Sequence, residues 1–239
     1  MRVDAVFFDL FDTLLPLESA EAYYEACLKK MNEFLAKKGV NVSFDDFQRA
    51  YFDIRDKFYS ARESLEKPHF NVRVAKTLEK LDYNFKASDA VVVGATMSFA
   101  DEFTCHVQVD EDAVYVLQKL HQKHKLGLIS NFGIPESGRK LLKTFRLEEY
   151  FDLIVISAEV NRRKPSPKIF KSALAKLGVD VSSAVFVGGM VELDVVGPRS
   201  VEMKTVLIKR KPSGEEDSLA RPDIVIRSLT ELLSVIEDR

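Results

Sequence analysis

Four points in the chain place reactive groups directly after an apolar run. FFDLFDTLL carries Asp9, Asp12 and Thr13; LISNFG carries Ser130 and Asn131; SAEVNRRKPSPKIF carries Arg162, Arg163 and Lys164; FVGGMVELD carries Glu192 and Asp194. A carboxylate can attack as a nucleophile, a hydroxyl and an ammonium can hold the oxyanion, and acids opposite can hold a divalent cation. The cation matters when the target is a phosphate dianion, which an anionic nucleophile otherwise repels. Such a set suits acyl or phosphoryl transfer, provided that the four points meet.

They meet if the runs carrying them are neighbouring parallel strands, because ligands of open parallel sheets bind beyond the carboxyl ends. Strands are expected at Val3–Asp9, Lys125–Ser130, Leu153–Ser157, Ala184–Gly188, Lys204–Ile208 and Asp223–Ile226, each short, apolar and rich in β-branched or aromatic residues. Helix-period segments at Glu136–Phe145, Pro167–Leu177 and Leu229–Ile236 alternate with them. That alternation predicts an α/β fold, a doubly wound parallel sheet covered on both faces.

The rhythm breaks between about Glu18 and Cys105, where helices are expected at Ser19–Lys38, Ser43–Leu65, Asn71–Leu81 and Ser88–Phe103 and no strand is convincing. Ser43 and Ser88 are the expected N-caps. Aromatic residues there (among them Tyr23, Tyr24, Phe34, Phe47, Tyr51 and Tyr59) recur at three, four and seven, the spacing of a helix-bundle core. The stretch reads as a helical insertion after the first strand. KRKPSGEEDSLARP, residues 209–222, reads as a surface loop.

Composition narrows the partners. With 239 residues and 46% hydrophobic content the chain can bury a full core, and 35 basic against 37 acidic residues give a net charge of −2. No global field therefore recruits nucleic acid or an anionic membrane, so any anion must be caught locally. No window is apolar for long enough to span a bilayer, and the N-terminal run is broken by Asp4, Asp9 and Asp12, unlike a signal peptide. Cys27 and Cys105 show no paired spacing, and His69, His106, His121 and His124 show no ligand spacing with them. A cytoplasmic, reducing setting is the expectation. The oligomeric state stays open.

FFDLFDTLL, LISN, RKPSPKIF and VGGMVELDVVG, in this order and with this insertion, resemble the haloacid dehalogenase superfamily of aspartate-nucleophile hydrolases. The resemblance covers almost the whole chain. It implies a Rossmann-like core at residues 1–16 and 106–239 and a helical cap at 17–105 that closes over the site and selects the substrate. It implies Asp9 as the nucleophile that forms an aspartyl intermediate, with Ser130 and Lys164 holding the transferred group and Thr13 and Asn131 beside them. Mg2+ would be held by Asp9, the Phe11 carbonyl and Asp194, and the substrate would be a small phosphorylated or other anionic molecule.

The sequence departs from the family pattern at two positions. Phosphatases of the family usually carry Asp-x-Asp in the first motif, the second Asp acting as general acid; here that position is Phe11, which strand alternation would place on the side of Asp9, with Asp12 pointing away. The fourth motif usually begins Gly-Asp, and here reads Gly188-Gly189, so one metal carboxylate is missing and Glu192 would be its replacement. Three readings follow: a phosphomonoesterase of reduced activity, a metal-independent 2-haloacid dehalogenase type whose halide leaves without a proton, and an inactive binding module. Against the second, Phe170 stands where that branch would have a tyrosine, and no arginine follows the first motif in Leu14–Glu25.

Overall fold

The computed structural model describes residues 1–17, 20–60, 65–210 and 221–236. Six strands form one fully parallel sheet: β1 (Ala5–Phe8), β2 (Lys125–Ser130), β3 (Leu153–Ile156), β4 (Ala184–Gly188), β5 (Lys204–Ile208) and β6 (Ile224–Ile226), in the order β3-β2-β1-β4-β5-β6. β1 and β4 are buried at every position, as expected of strands covered on both faces. Phe8 lies opposite Leu128 and Val187, so the three central strands end nearly level. The order reverses at β1, which opens a crevice beyond its carboxyl end.

Between β1 and β2 the chain builds α1 (Ala20–Lys37), α2 (Phe44–Ser60), α3 (Phe70–Lys80), α4 (Ala90–Thr104) and α5 (Ala113–His121). α1 packs along α4 and α2 along α3, forming the helical insertion; α5 returns to the sheet and packs on β2. The remaining helices are α6 (Pro135–Thr144), α7 (Pro167–Leu177), α8 (Gly197–Arg199) and α9 (Leu232–Val235). α6 and α7 each open on proline, whose missing N–H costs nothing in a first turn. One hydrophobic cluster runs from Val6 and Phe8 on the sheet through Leu28, Leu35 and Phe99 of the insertion. A second fills the opposite face around Phe7, Phe170 and Phe186. No described helix is long and apolar enough to cross a membrane.

All six expected strands are present within two residues at each end. Several helical details differ. α5 lies outside the segments expected from the sequence; its buried residues Ala113, Val116, Leu117 and Leu120 follow helical spacing. α4 starts one residue later than expected, with Asp89 and not Ser88 at the N-cap; the Asp89 carboxylate accepts the Lys86 N–H at 2.8 Å. Ser43 does cap, its Oγ accepting the Asp46 N–H at 3.2 Å. The last helix is short, Leu232–Val235 within the expected Leu229–Ile236, since Ser228 and Thr230 bond to each other ahead of it. Ser19, the end of the expected second helix at residues 61–64, the Tyr59 side chain and most of the 209–222 loop lie outside the described residues.

Candidate active site

The site begins one residue past β1. Asp9 donates its N–H to the Val187 carbonyl at 2.9 Å, which fixes it against the end of β4. The chain then turns tightly: Leu14 and Leu15 both donate to the Leu10 carbonyl, and Asp12 donates to Leu15. Asp12 adopts a left-handed φ of 59°, which Asp tolerates better than most residues, and its carboxylate accepts the Leu17 N–H at 3.3 Å. Strand alternation therefore does not govern this segment, because β1 has already ended at Phe8. Arg210 clasps the turn from the far side, donating to the Asp12 carbonyl at 2.7 Å and the Thr13 carbonyl at 2.6 Å while pairing with Asp110 at 2.6 Å.

Lys164 stands at the centre, 1% exposed, with its Nζ 2.7 Å from Asp9 Oδ1 and 2.7 Å from Asp194 Oδ1. Its backbone is held by Asn131, whose amide donates to the Lys164 carbonyl at 3.0 Å and accepts the Lys164 N–H at 2.8 Å. Asn131 is thus a clamp on the lysine as well as a wall of the adjoining cleft. Asp194 sits on a π-helical turn, Val191–Val196, and its Oδ2 accepts the Met190 N–H at 2.9 Å. A Cβ on Gly188 would fall 2.4 Å from Asp194 Cγ, so only glycine at the end of β4 lets this carboxylate reach the lysine. The Ser130 hydroxyl is fully buried and has no hydrogen-bond partner. Thr13 Oγ1 lies 3.4 Å from Asp9 Oδ2, a long contact.

One ammonium between two buried carboxylates leaves the trio net negative. Burial pushes the Asp9 carboxyl up, Lys164 pulls it down and Asp194 pushes it up again, for a net rise from 3.8 to about 6. Burial alone would lower Lys164; the Asp194 and Asp9 carboxylates outweigh it and hold the ammonium above its ordinary value. At neutral pH Asp9 is ionised and Lys164 charged.

The donors do not fit a Mg2+ site. Asp194, expected as a ligand, has one oxygen on Lys164 and the other on the Met190 amide. Gly189 offers no side chain, and a Cβ there would lie 3.1 Å from the Asp12 carbonyl oxygen. Glu192 is exposed, and no cluster of three acidic, His or Cys donors occurs among the described residues. Asp9 Oδ2 and the Phe11 carbonyl are the protein oxygens that remain, so water and substrate would have to supply most of an octahedral shell.

Phe11 leaves the strand edge for a cleft of about 230 Å3 between the insertion and the sheet. Its ring lies 5.6 Å from Phe103 of α4 and 4.9 Å from Phe132. Arg163 lines a smaller neighbouring pocket with His69 and Arg73. The sequence reading passed over two contributors. Arg210 was assigned to a loop on composition, although it reaches nearly 200 positions back to the first turn. Arg73 falls within an expected helix without being singled out; it is buried and donates to the Tyr51 hydroxyl at 3.1 Å, where Tyr24 also bonds at 2.9 Å. A cation on the apolar side of α3, in helical register with Phe70, Val74 and Leu78, was the available signal.

Residues 3–200 match the family model of the haloacid dehalogenase-like hydrolases. The glyceraldehyde 3-phosphate phosphatase of Pyrococcus furiosus is 27% identical over 238 residues, covering 99% of this chain and 94% of that protein. Among solved structures, a 2-haloacid dehalogenase from Pseudomonas syringae pv. Tomato superposes with a TM-score of 0.74 at 25% identity, over 98% of this chain and 97% of that one. A HAD phosphatase from Thermococcus onnurineus gives 0.69 at 27% identity, over 97% of each chain. The strand order, the arrangement at its switch point and a match over most of the length agree: this chain belongs to the haloacid dehalogenase-like hydrolases.

Proposed function

We propose that the protein hydrolyses a small phosphorylated substrate through a phosphoaspartyl intermediate on Asp9. The observation that carries this reading is the buried Lys164 joining Asp9 to Asp194, beside a Ser130 hydroxyl with nothing to bond to. An unsatisfied buried hydroxyl is costly unless a ligand supplies its partner. A phosphoryl oxygen held by Ser130 Oγ and Lys164 Nζ would present phosphorus to Asp9 Oδ2. Asp9 attacks, the ester oxygen leaves with the bond pair, and water then cleaves the acyl phosphate and frees the carboxylate. A relative named as a glyceraldehyde 3-phosphate phosphatase supports the same substrate class. Residues 17–105 would act as a cap on a core of residues 1–16 and 106–239, since the cleft beside the nucleophile takes walls from both.

The test is phosphate release from acetyl phosphate and 4-nitrophenyl phosphate by the wild-type chain and by Asp9→Asn, each with and without excess EDTA. Loss of nucleophilic catalysis is expected to lower turnover by about 10³-fold or more in the variant, and EDTA is expected to leave the wild-type rate unchanged. An Asp9→Asn protein as fast as wild type would exclude the mechanism. A wild-type rate abolished by EDTA and restored by Mg2+ would show that the donor set has been misjudged.

Phe11 favours a second reading, attack by the same Asp9 on a 2-haloacid, because halide departs without a proton. Halide release without phosphate release would select it.

A further inference from the structure

Resting on the phosphatase reading, we infer that the leaving group is an aromatic hydroxyl and that the substrate is an aryl phosphate. Two independent observations converge on this. The first is chemical. Of the carboxylates near the end of β1, Asp9 and Asp194 are both held by Lys164, and Asp12 bonds the Leu17 amide. Among the described residues the cleft wall contains no Asp or Glu. Among the described residues no carboxylic acid on the cleft wall stands ready to protonate a departing oxygen, and the position two after Asp9 is Phe11. Loss of general acid catalysis costs an alkoxide leaving group about 10² to 10⁴ in rate, and a stabilised anion much less.

The second is shape. Phe11, Phe103 and Phe132 form a mutually contacting trio, with centroids 5.6, 4.9 and 5.4 Å apart. Those distances lie within the range that aromatic pairs prefer, so the wall offers ring faces and edges against which a further ring can pack. Tyr23 extends the wall at 5.4 Å from Phe103, and Phe70 and Phe99 close it at 4.9 Å from each other. An apolar cavity of about 150 Å3 admits benzene, so the 230 Å3 here suits one substituted ring. Phe11 is two residues from Asp9 in the chain and Asn131 clamps Lys164, and both line the cleft, so a ring on the wall would lie next to the reacting groups. The charged residues on the wall, Lys67 and Arg73, are both cations, which favours a departing aryloxide. In this step Asp9 Oδ2 bonds to phosphorus, the P–O(aryl) bond breaks, the aryloxide keeps the pair and takes its proton from solvent.

The experiment compares kcat/KM for phenyl phosphate, 4-nitrophenyl phosphate, acetyl phosphate and glycerol phosphate. Acidity alone would put acetyl phosphate ahead of phenyl phosphate, because a carboxylic acid has a pKa of about 4 and a phenol about 10. The inference expects the reverse, both aryl esters exceeding acetyl phosphate by about tenfold or more and glycerol phosphate by about 10² or more. It also expects the aryl-to-acetyl ratio to fall by about tenfold in Phe103→Leu and in Phe132→Leu, two separate variants in case one folds poorly. Acetyl or glycerol phosphate at or above the aryl esters, or a ratio unchanged in both variants, would overturn the aryl assignment while leaving the phosphatase standing. No hydrolysis of any of the four would instead remove the phosphatase reading.

Discussion

The readiness of Asp9, the proposed nucleophile, depends on its neighbours. Burial and the facing Asp194 carboxylate raise it, Lys164 lowers it, and the balance lies at about 6. Attack needs the carboxylate, so kcat/KM should rise with pH through about 6 and level off above it. Asp194→Asn removes the like charge while keeping an oxygen that can accept from Lys164 or the Met190 amide. The acid limb of the profile should therefore move to lower pH in this variant, since one of the two raising influences is gone. The substrate titrates identically in both proteins, so the shift between profiles isolates the enzyme. A limb that stays put, or moves up, would mean that Asp194 does not act on Asp9. Lys164 itself is a poorer probe: removing it leaves two buried carboxylates uncompensated, at a cost of about 3–5 kcal/mol.

Secondary elements were legible in the sequence to very different degrees, and the reasons are physical. The six strands are short apolar runs, and burial of the central ones on both faces makes such runs unambiguous once helices alternate with them. Ser130 ends β2, and Lys164 and Asp194 lie in the segments that follow β3 and β4, which is what made them legible. What local pattern does not encode is how a turn is held. The segment Leu10–Leu15 depends on Arg210, whose partners Asp12, Thr13 and Asp110 are far away in sequence. Nor does pattern show that Asp194's second oxygen is consumed by a π-helical turn, which is what removes it from a metal's reach. Arg210→Ala should cost about 1.5–3 kcal/mol, as charge-assisted bonds of this type do, measured by urea unfolding with an unchanged slope. Activity should drop more than stability alone explains, because Asp9 begins the same turn. Arg210→Lys should recover only part of it, since one ammonium cannot fork to two carbonyls and a carboxylate as the guanidinium does. Full recovery by Lys would reduce the clasp to a simple charge.

At the scale of the whole molecule the insertion and the sheet share one core. The cluster containing Val6, Phe8 and Leu128 continues without a break through Leu28, Met31, Leu35 and Phe99. Backbone bonds also cross between them, Phe70 N–H to the Gly133 carbonyl at 2.8 Å and Arg163 N–H to the Leu65 carbonyl at 2.9 Å. By contrast, the ion pairs that cross, His69 with Glu136 and Lys140 with Asp101, are exposed and contribute at most about 1 kcal/mol each. The hydrophobic continuity should therefore dominate, and both parts should unfold together. Leu28, on α1 and wholly buried, lies far from the reacting groups in sequence. Leu28→Ala should cost about 2–5 kcal/mol, which for a chain of this length lowers the melting temperature by roughly 4–20 °C. A single calorimetric transition should persist, its calorimetric and van't Hoff enthalpies remaining equal. Phosphatase activity should disappear across the same transition, since the aromatic wall beside Asp9 is built from both parts. Two resolved transitions, with Leu28→Ala moving only the lower, would show that the helical layer folds on its own and that the shared cluster is contact without cooperativity.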